Sequence, residues 1–315
     1  MRNFFSIKDV EDPKTWVDEA LALKQQIEAN GPLAKDGKSI CLLFFNPSLR
    51  TRLSMQKAAF NLGIESVVFN LSSDGWQLEF GDRVVMDGTK SEHIIEAAGV
   101  ISSYFDAIGI RSFPGLENRE EDYSEQVLSQ FIKHCSIPVI NMESATLHPL
   151  QSFTDLITIK EFSKVEKPKV VVSWAPHPKA LPQAVTNSFL QWAGTMDYDL
   201  VLTHPKGYEL AEEFTSNATL EYDQNKALEG ADFVYVKNWS SYQDYGKILS
   251  QDPSWTITKS KLDLTNNGKF MHCLPVRRNV IVADEVLDSD HSIVIPQAAH
   301  RLTSAQLVLK KLMRS

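Results

Sequence analysis

The chain has 315 residues, 43% of them hydrophobic, and its 32 Lys and Arg against 40 Asp and Glu leave a formal net charge of -8. That length and apolar content suffice for two domains with their own cores. The acidic balance argues against a nucleic-acid partner or an anionic membrane surface, so an anionic ligand has to be held by a local cluster of cations.

Cys41, Cys135 and Cys273 have no paired spacing, which speaks against a disulfide framework or a zinc site. Met1-Arg2-Asn3-Phe4-Phe5 is too short and too soon charged for a secretory signal, and no apolar run approaches membrane-spanning length. A cytoplasmic protein without metal or cofactor is expected.

In chain order, residues 16–29 read as an amphipathic helix ended by Gly31-Pro32. Residues 39–45 form a uniformly apolar run, the pattern of a buried parallel strand, and residues 53–62 keep helical spacing up to Gly63. Between them lies Asn46-Pro47-Ser48-Leu49-Arg50-Thr51-Arg52. This link joins a strand's carboxyl end to a helix's amino end, where unpaired N–H groups and the positive end of the dipole favour an anion. Two arginines in a helix's first turn oppose that dipole, so an anionic partner is expected, with Ser48 and Thr51 as hydroxyl donors. The link has no glycine, which disfavours the Walker and dinucleotide patterns.

A second strand is predicted over 66–69, then a polar loop containing Trp76, a helix opening at Thr89-Lys90-Ser91-Glu92 and running to about Tyr104, and a strand over 107–111 that ends on Arg111. A helix over 124–135 leads to a strand over 138–142. His148 follows past its carboxyl end, before Pro149 at the start of a helix over 150–162. The second half repeats the scheme, with strands at 169–174, 200–203, 233–237, 270–273 and 292–295. Between them come helices at 182–193, 208–214 and 225–230, and the chain closes on a helix over 301–313.

Strand–helix alternation implies an α/β fold of two doubly wound parallel-sheet domains joined by interdomain helices, with the active site in the cleft. Residues 1–149 with 300–315 are assigned to one domain and 150–299 to the other. The polar groups at strand ends are Ser48, Arg50, Thr51, Arg52, Arg111, His148, Gln151, His177, Lys179, Lys237, Cys273, Arg277, Arg278 and Arg301. Rich in cations and poor in carboxylates, this set suits a phosphate ligand and a second anionic substrate. Neither paired hydrolytic carboxylates nor a metal cluster is present.

The sequence resembles the aspartate/ornithine carbamoyltransferase family. The resemblance rests on Ser48-Leu49-Arg50-Thr51-Arg52 as an S-x-R-T-R loop, His148-Pro149-Leu150-Gln151 as H-P-x-Q, and His272-Cys273-Leu274-Pro275 as the H-C-L-P of the ornithine branch. It implies carbamoyl transfer without a cofactor. By carry-over, Ser48, the backbone of Leu49, Arg50 and Thr51 hold the phosphate of carbamoyl phosphate, and Arg111, His148 and Gln151 the carbamoyl end. Cys273, Leu274 and Arg301 also line that pocket, and Trp76 reaches a neighbouring subunit's site in a homotrimer with shared active sites. Thr51, Arg111, His148 and Cys273 are the implied catalytic groups.

The second domain lacks the aspartate and S-M-G loop that hold free ornithine in the ordinary enzymes. It offers His177-Pro178-Lys179-Ala180-Leu181 and Lys237-Asn238-Trp239 instead, which is similar to the branch acting on N-acylornithine. Acylation removes the α-ammonium, so an aspartate there would be a buried unpaired charge. Glu143, His177, Lys179, Lys237, Cys273, Arg277, Arg278 and Ser91 are assigned to the acyl-ornithine. Ser91 aligns with a glutamate of the acetylornithine enzymes and Ile281 with their carboxylated lysine, which favours a succinyl over an acetyl acceptor. The alternatives are transfer to N-acetylornithine or ornithine and, from another class, a catalytically silent anion-binding protein.

Overall fold

The computed structural model describes residues 2–314, apart from the side chain of Ser72. It divides into two compact units, one of Met1–Pro114, Glu120–Leu150 and Arg301–Ser315, the other of Gly115–Arg119 and Gln151–His300. Among the described residues, no helix is long and apolar enough to cross a membrane.

The first unit is built on strands β1 (Ser39–Phe44), β2 (Glu65–Asn70), a small pair β3 (Leu78–Glu79) and β4 (Glu92–His93), then β5 (Ala107–Arg111) and β6 (Val139–Glu143). Its main sheet is parallel in the order β2-β1-β5-β6. From β1 the chain steps outward to β2, then returns across β1 to β5. The direction of winding therefore reverses between β1 and β5, and there the crossover loops diverge and leave a crevice at the strands' carboxyl ends. Phe44 is paired with Arg111 at that end. One sheet face packs Cys41, Leu43, Ile108 and Ile110 against Ile94, Ala98, Leu128 and Phe131, all buried.

The second unit holds β7 (Lys169–Trp174), β8 (Asp199–Thr203), β9 (Thr219–Glu221), β10 (Phe233–Lys237) and β11 (Lys269–Met271). They form a parallel sheet in the order β11-β10-β7-β8-β9. Here the winding reverses between β7 and β10, whose carboxyl ends pair Trp174 with Lys237. Val171, Val234, Val236, Phe270 and Ile281 belong to its core.

Several boundaries differ from expectation. The strand expected over 292–295 is reduced to a bridge between Ser292 and Phe270. The last helix, Val294–Met313, begins at Val294 instead of Arg301. The run Ile293-Val294-Ile295 reads as strand by composition, but Pro296 fits a helix's first turn, where no N–H is needed. The helix expected from Thr89 is Ile94–Tyr104, capped by His93, because Glu92–His93 pairs with Leu78–Glu79. The helix expected over 208–214 is only Glu212–Thr215. The short edge strand β9 has no apolar run, its residues being exposed or half-exposed, and it was not visible in the sequence pattern.

Candidate active site

The link after β1 is held at both ends. Ser48 adopts extended backbone and caps the helix Leu49–Asn61, its hydroxyl accepting from the Thr51 N–H at 3.3 Å. Arg111 reaches back across the switch point and donates from Nη1 to the carbonyls of Asn46 (3.0 Å) and Pro47 (2.7 Å). The Asn46 side chain accepts from the Phe113 N–H at 2.7 Å, and the Arg111 guanidinium lies over the Phe113 ring. From the last helix Arg301 donates to Thr51 Oγ1 at 2.7 Å, with both side chains buried. Sheet, link and closing helix thus bring Ser48, Thr51, Arg111 and Arg301 together in the first unit.

His148 joins them. It is buried, with Nε2 3.4 Å from Glu143 Oε2, while Arg111 Nε donates to that same oxygen at 3.2 Å. Burial, then Arg301, Arg111 and Arg50, hold the imidazole well below the ordinary histidine range. Three guanidiniums outweigh the one carboxylate, so His148 is neutral at physiological pH. The surplus of fixed positive charge is what an incoming dianion can neutralise.

Glu143 is the residue expected beside the acyl-ornithine. Its buried carboxylate is engaged with Arg111 and His148 in the first unit, because the last residue of β6 lies opposite the last residue of β5. Asn46 was missed as a functional side chain. Its signal was only its position before Pro47, since nothing local shows that its oxygen meets a residue of another strand.

In the second unit the loop after β7 carries His177. Its Nδ1 is 2.8 Å from the carbonyl of Lys179, and its Nε2 accepts from Arg277 Nε at 3.0 Å. The Lys179 N–H also lies 3.0 Å from Nδ1, and burial together with Lys237, Arg277 and Lys179 lowers the pKa of His177. Lys237 ends β10 beside Trp174. Arg277 and His177 are therefore brought together. Arg278 is not placed with them: it is exposed and bound to Asp284 at 2.8 Å and to Asp288 at 2.7 Å, because the turn after Arg277 faces those carboxylates.

Gln151, expected at the carbamoyl end, donates its amide to Asp155 Oδ1 at 2.8 Å. Gln297 donates to the same oxygen at 2.7 Å and accepts from the His272 N–H at 2.9 Å. His272 Nδ1 in turn accepts from the Leu274 N–H at 2.9 Å. This buried chain fixes the segment that carries Cys273 and Leu274. Asp155 was missed, although its place four residues after Gln151 on one helix was a legible sign of contact.

Trp76 is exposed and donates its indole N–H to Glu92 at 2.8 Å. It borders a largely apolar cavity of about 300 Å³ in the first unit, lined also by Phe69, Val100 and Tyr104. Ser91 is exposed, with its N–H donated to the carbonyl of Gln77. Lys179 is exposed as well, and Ile281 is buried in the second core.

Ser48 and Thr51 at a helix amino end thus stand with Arg111, Arg301 and a neutral His148 in the first unit. The chain belongs to the aspartate/ornithine carbamoyltransferase family: the carbamoyl-P binding domain matches residues 2–161 and the Asp/Orn binding domain residues 182–312. It is 52% identical to an N-succinylornithine carbamoyltransferase of Bacteroides fragilis, over 100% of this chain and 99% of that protein. To an N-acetylornithine carbamoyltransferase of Xanthomonas campestris it is 39% identical, over 88% and 87% of the two chains. Its fold is similar to that of an N-acetyl-L-ornithine transcarbamylase, substituted at a glutamate and crystallised with carbamyl phosphate and N-succinyl-L-norvaline. That likeness has a TM-score of 0.92 at 35% identity, over 99% of this chain and 100% of the other.

Proposed function

We propose that the protein transfers the carbamoyl group of carbamoyl phosphate to the δ-amine of N-succinyl-L-ornithine, giving N-succinyl-L-citrulline and phosphate, in cytoplasmic arginine biosynthesis. The observation that carries the chemistry is the convergence of Ser48, Thr51, Arg111, His148 and Arg301 at the switch point of the first sheet. The acceptor rests on the full-length 52% identity to the N-succinylornithine enzyme.

In this reading the phosphate lies on the amino end of the helix Leu49–Asn61, against Ser48, the Leu49 N–H, Arg50 and Arg301. Arg301 already donates to the Thr51 oxygen, so the Thr51 proton is left to point at the carbonyl oxygen of carbamoyl phosphate. Attack by the amine places negative charge on that oxygen, and donors fixed beforehand cost no reorganisation when the charge appears. Arg111 supplies charge there. Neutral His148 turns its single N–H from Glu143 to the oxyanion without giving up a proton.

The cations around the cluster, together with exclusion of water, favour the uncharged form of the attacking amine. The C–O bond to phosphate then breaks. The departing phosphate, neutralised by Arg50 and Arg301, takes up the amine proton.

For the acceptor we assign Lys237 and Arg277, the latter held by His177, to the carboxylates, with Lys179 near them and the backbone at Cys273 and Leu274 toward the amine. Gln151 borders the carbamoyl end. Arg278 is left out of this set because Asp284 and Asp288 already occupy its guanidinium. The first unit is assigned to carbamoyl phosphate and the second to the acyl-ornithine. Exposed Trp76 and Ser91 are assigned to a neighbouring subunit's site in a homotrimer.

In the substituted N-acetyl enzyme above, the replaced residue is a glutamate and the bound ligand carries a succinyl group. This chain has Ser91 at the position aligned with the acetyl enzymes' glutamate, which leaves no negative charge against a succinyl carboxylate.

The test is ureido-product formation from carbamoyl phosphate with ornithine, N-acetylornithine and N-succinylornithine offered separately at equal concentration. Turnover of the succinyl compound is expected. Turnover of the acetyl compound alone overturns the acceptor assignment, and turnover of none overturns the function. Ser91→Glu is expected to lower the succinyl-to-acetyl ratio of kcat/KM, because it sets a like charge against the succinyl carboxylate.

A further inference from the structure

Glu125 is the residue before the helix Gln126–His134, in left-handed backbone with φ +51°. A carboxylate at a helix amino end ordinarily caps that helix, but this one does not. Its side chain is spent on a distant turn, residues 144–146. Oε1 accepts from Ser144 Oγ at 2.7 Å, from the Thr146 N–H at 2.7 Å and from Thr146 Oγ1 at 2.5 Å, and Oε2 accepts from the Ala145 N–H at 3.3 Å. Four donors from three consecutive residues converge on one carboxylate.

That turn is the whole connection between Glu143 and Leu147, the neighbour of His148. It is closed by the Ser144 N–H donating to the carbonyl of Leu147 at 2.8 Å, and Asn141 Nδ2 donates to Ser144 Oγ at 3.1 Å. On one side of it the Glu143 carboxylate receives Arg111, and on the other stands His148. A shift of the turn therefore displaces both partners of the Glu143–His148 contact at once. Donors this dense satisfy the buried carboxyl group within the fold, and losing their acceptor would leave several buried polar groups unpaired.

We infer that Glu125 is a positioning residue for the transfer reaction: its carboxylate fixes the turn 144–146 and, through it, the aim of Glu143 and His148 at the carbamoyl group. The inference rests on the function proposed above. A left-handed backbone in a residue that is not glycine is unfavourable and persists where surrounding contacts hold it. Here those contacts lead to the site.

The variants are Glu125→Gln, which keeps shape but turns an amide NH₂ toward one set of N–H donors, and Thr146→Val, which removes one donor from the other side. In the full chain, kcat with carbamoyl phosphate and N-succinylornithine is expected to fall about ten- to a hundredfold in Glu125→Gln and less in Thr146→Val, with KM for the acceptor changed less than about twofold. A kcat of both variants within about twofold of the parent overturns the proposal. So does a loss that tracks thermal unfolding and disappears on cooling, since that marks a purely structural role.

A readout independent of turnover uses chains with ¹⁵N-labelled histidine. His148 is expected to remain neutral on acidification in the parent chain and to titrate closer to pH 6.5 in Glu125→Gln. An unchanged His148 titration overturns the proposal even where the parent chain proves inactive, an outcome that by itself overturns only the proposed reaction.

Discussion

Thr51→Val removes one hydroxyl and keeps the volume. Thr51 is 2% exposed, and its oxygen is the acceptor for Arg301 Nη2 at 2.7 Å. The substitution thus takes from a buried guanidinium N–H its acceptor at this point, a stability cost of about 1–3 kcal/mol. In the reaction it also removes a donor to the developing oxyanion, an effect of about 2.7–4 kcal/mol or roughly 10²–10³ in rate. Steady-state kinetics should therefore show kcat/KM with N-succinylornithine down about a hundred- to a thousandfold. Thermal denaturation should show Tm lower by about 2–12 °C, at about 2–4 °C per kcal/mol for domains of this size. Thr51→Ser, which keeps the hydroxyl, should recover most of the rate. If Thr51→Val turns over within threefold of the parent, or if the serine variant is as slow as the valine one, the hydroxyl does not act on the carbamoyl oxygen.

Arg277→Met should raise KM for the acyl-ornithine while leaving that for carbamoyl phosphate unchanged, since Arg277 is held by His177 in the second unit; equal effects on both constants would contradict the division of substrates. Gly246→Ala should destabilise the chain by more than about 2 kcal/mol in urea unfolding. Gly246 has φ +72°, and a Cβ there would stand 1.9 Å from the carbonyl oxygen of Leu116; a change under 0.5 kcal/mol, the usual range for an unconstrained surface position, would mean that the two segments do not pack as described. Acidification should lower stability between about pH 6.5 and 5.5. His148, His177 and His204 all have depressed pKa values, burial being the first cause in each, so the unfolded chain takes up protons that the folded chain refuses. Glu125, whose carboxyl is raised by burial, works in the opposite direction with one proton against three. A Tm constant over that window would refute the neutral state of these histidines.

Most strands of the two main sheets were legible because each is a short apolar run bounded by turn residues, whereas β9 and the pair β3–β4 have no such run; the order of strand and helix left few ways to wind a parallel sheet. Ser48 could be read as a cap from its place before a helical period, and Arg111 as a polar group at a strand's carboxyl end. Glu143 could not be assigned in the same way. Its sequence neighbours suggest only a strand end, and its partners, Arg111 and His148, depend on which strand lies beside β6. Arg278 follows Arg277 directly, yet the turn after Arg277 brings it to Asp284 and Asp288, carboxylates that its sequence neighbours do not point to. The run 292–295 shows a local preference for strand overridden by the helix that continues through Pro296.

Motif and period carry what is local: the polar link after β1, the strand–helix alternation, the histidine after β6, and the absence of charge at Ser91. Tertiary structure alone decides which charges meet. The neutrality of His148 comes first from its burial and then from Arg301, Arg111 and Arg50, which lie far from it and from one another in the chain. The turn that precedes His148 is held by Glu125, the residue before the helix Gln126–His134. Such couplings fall off over a few ångströms, and sequence separation does not measure that distance.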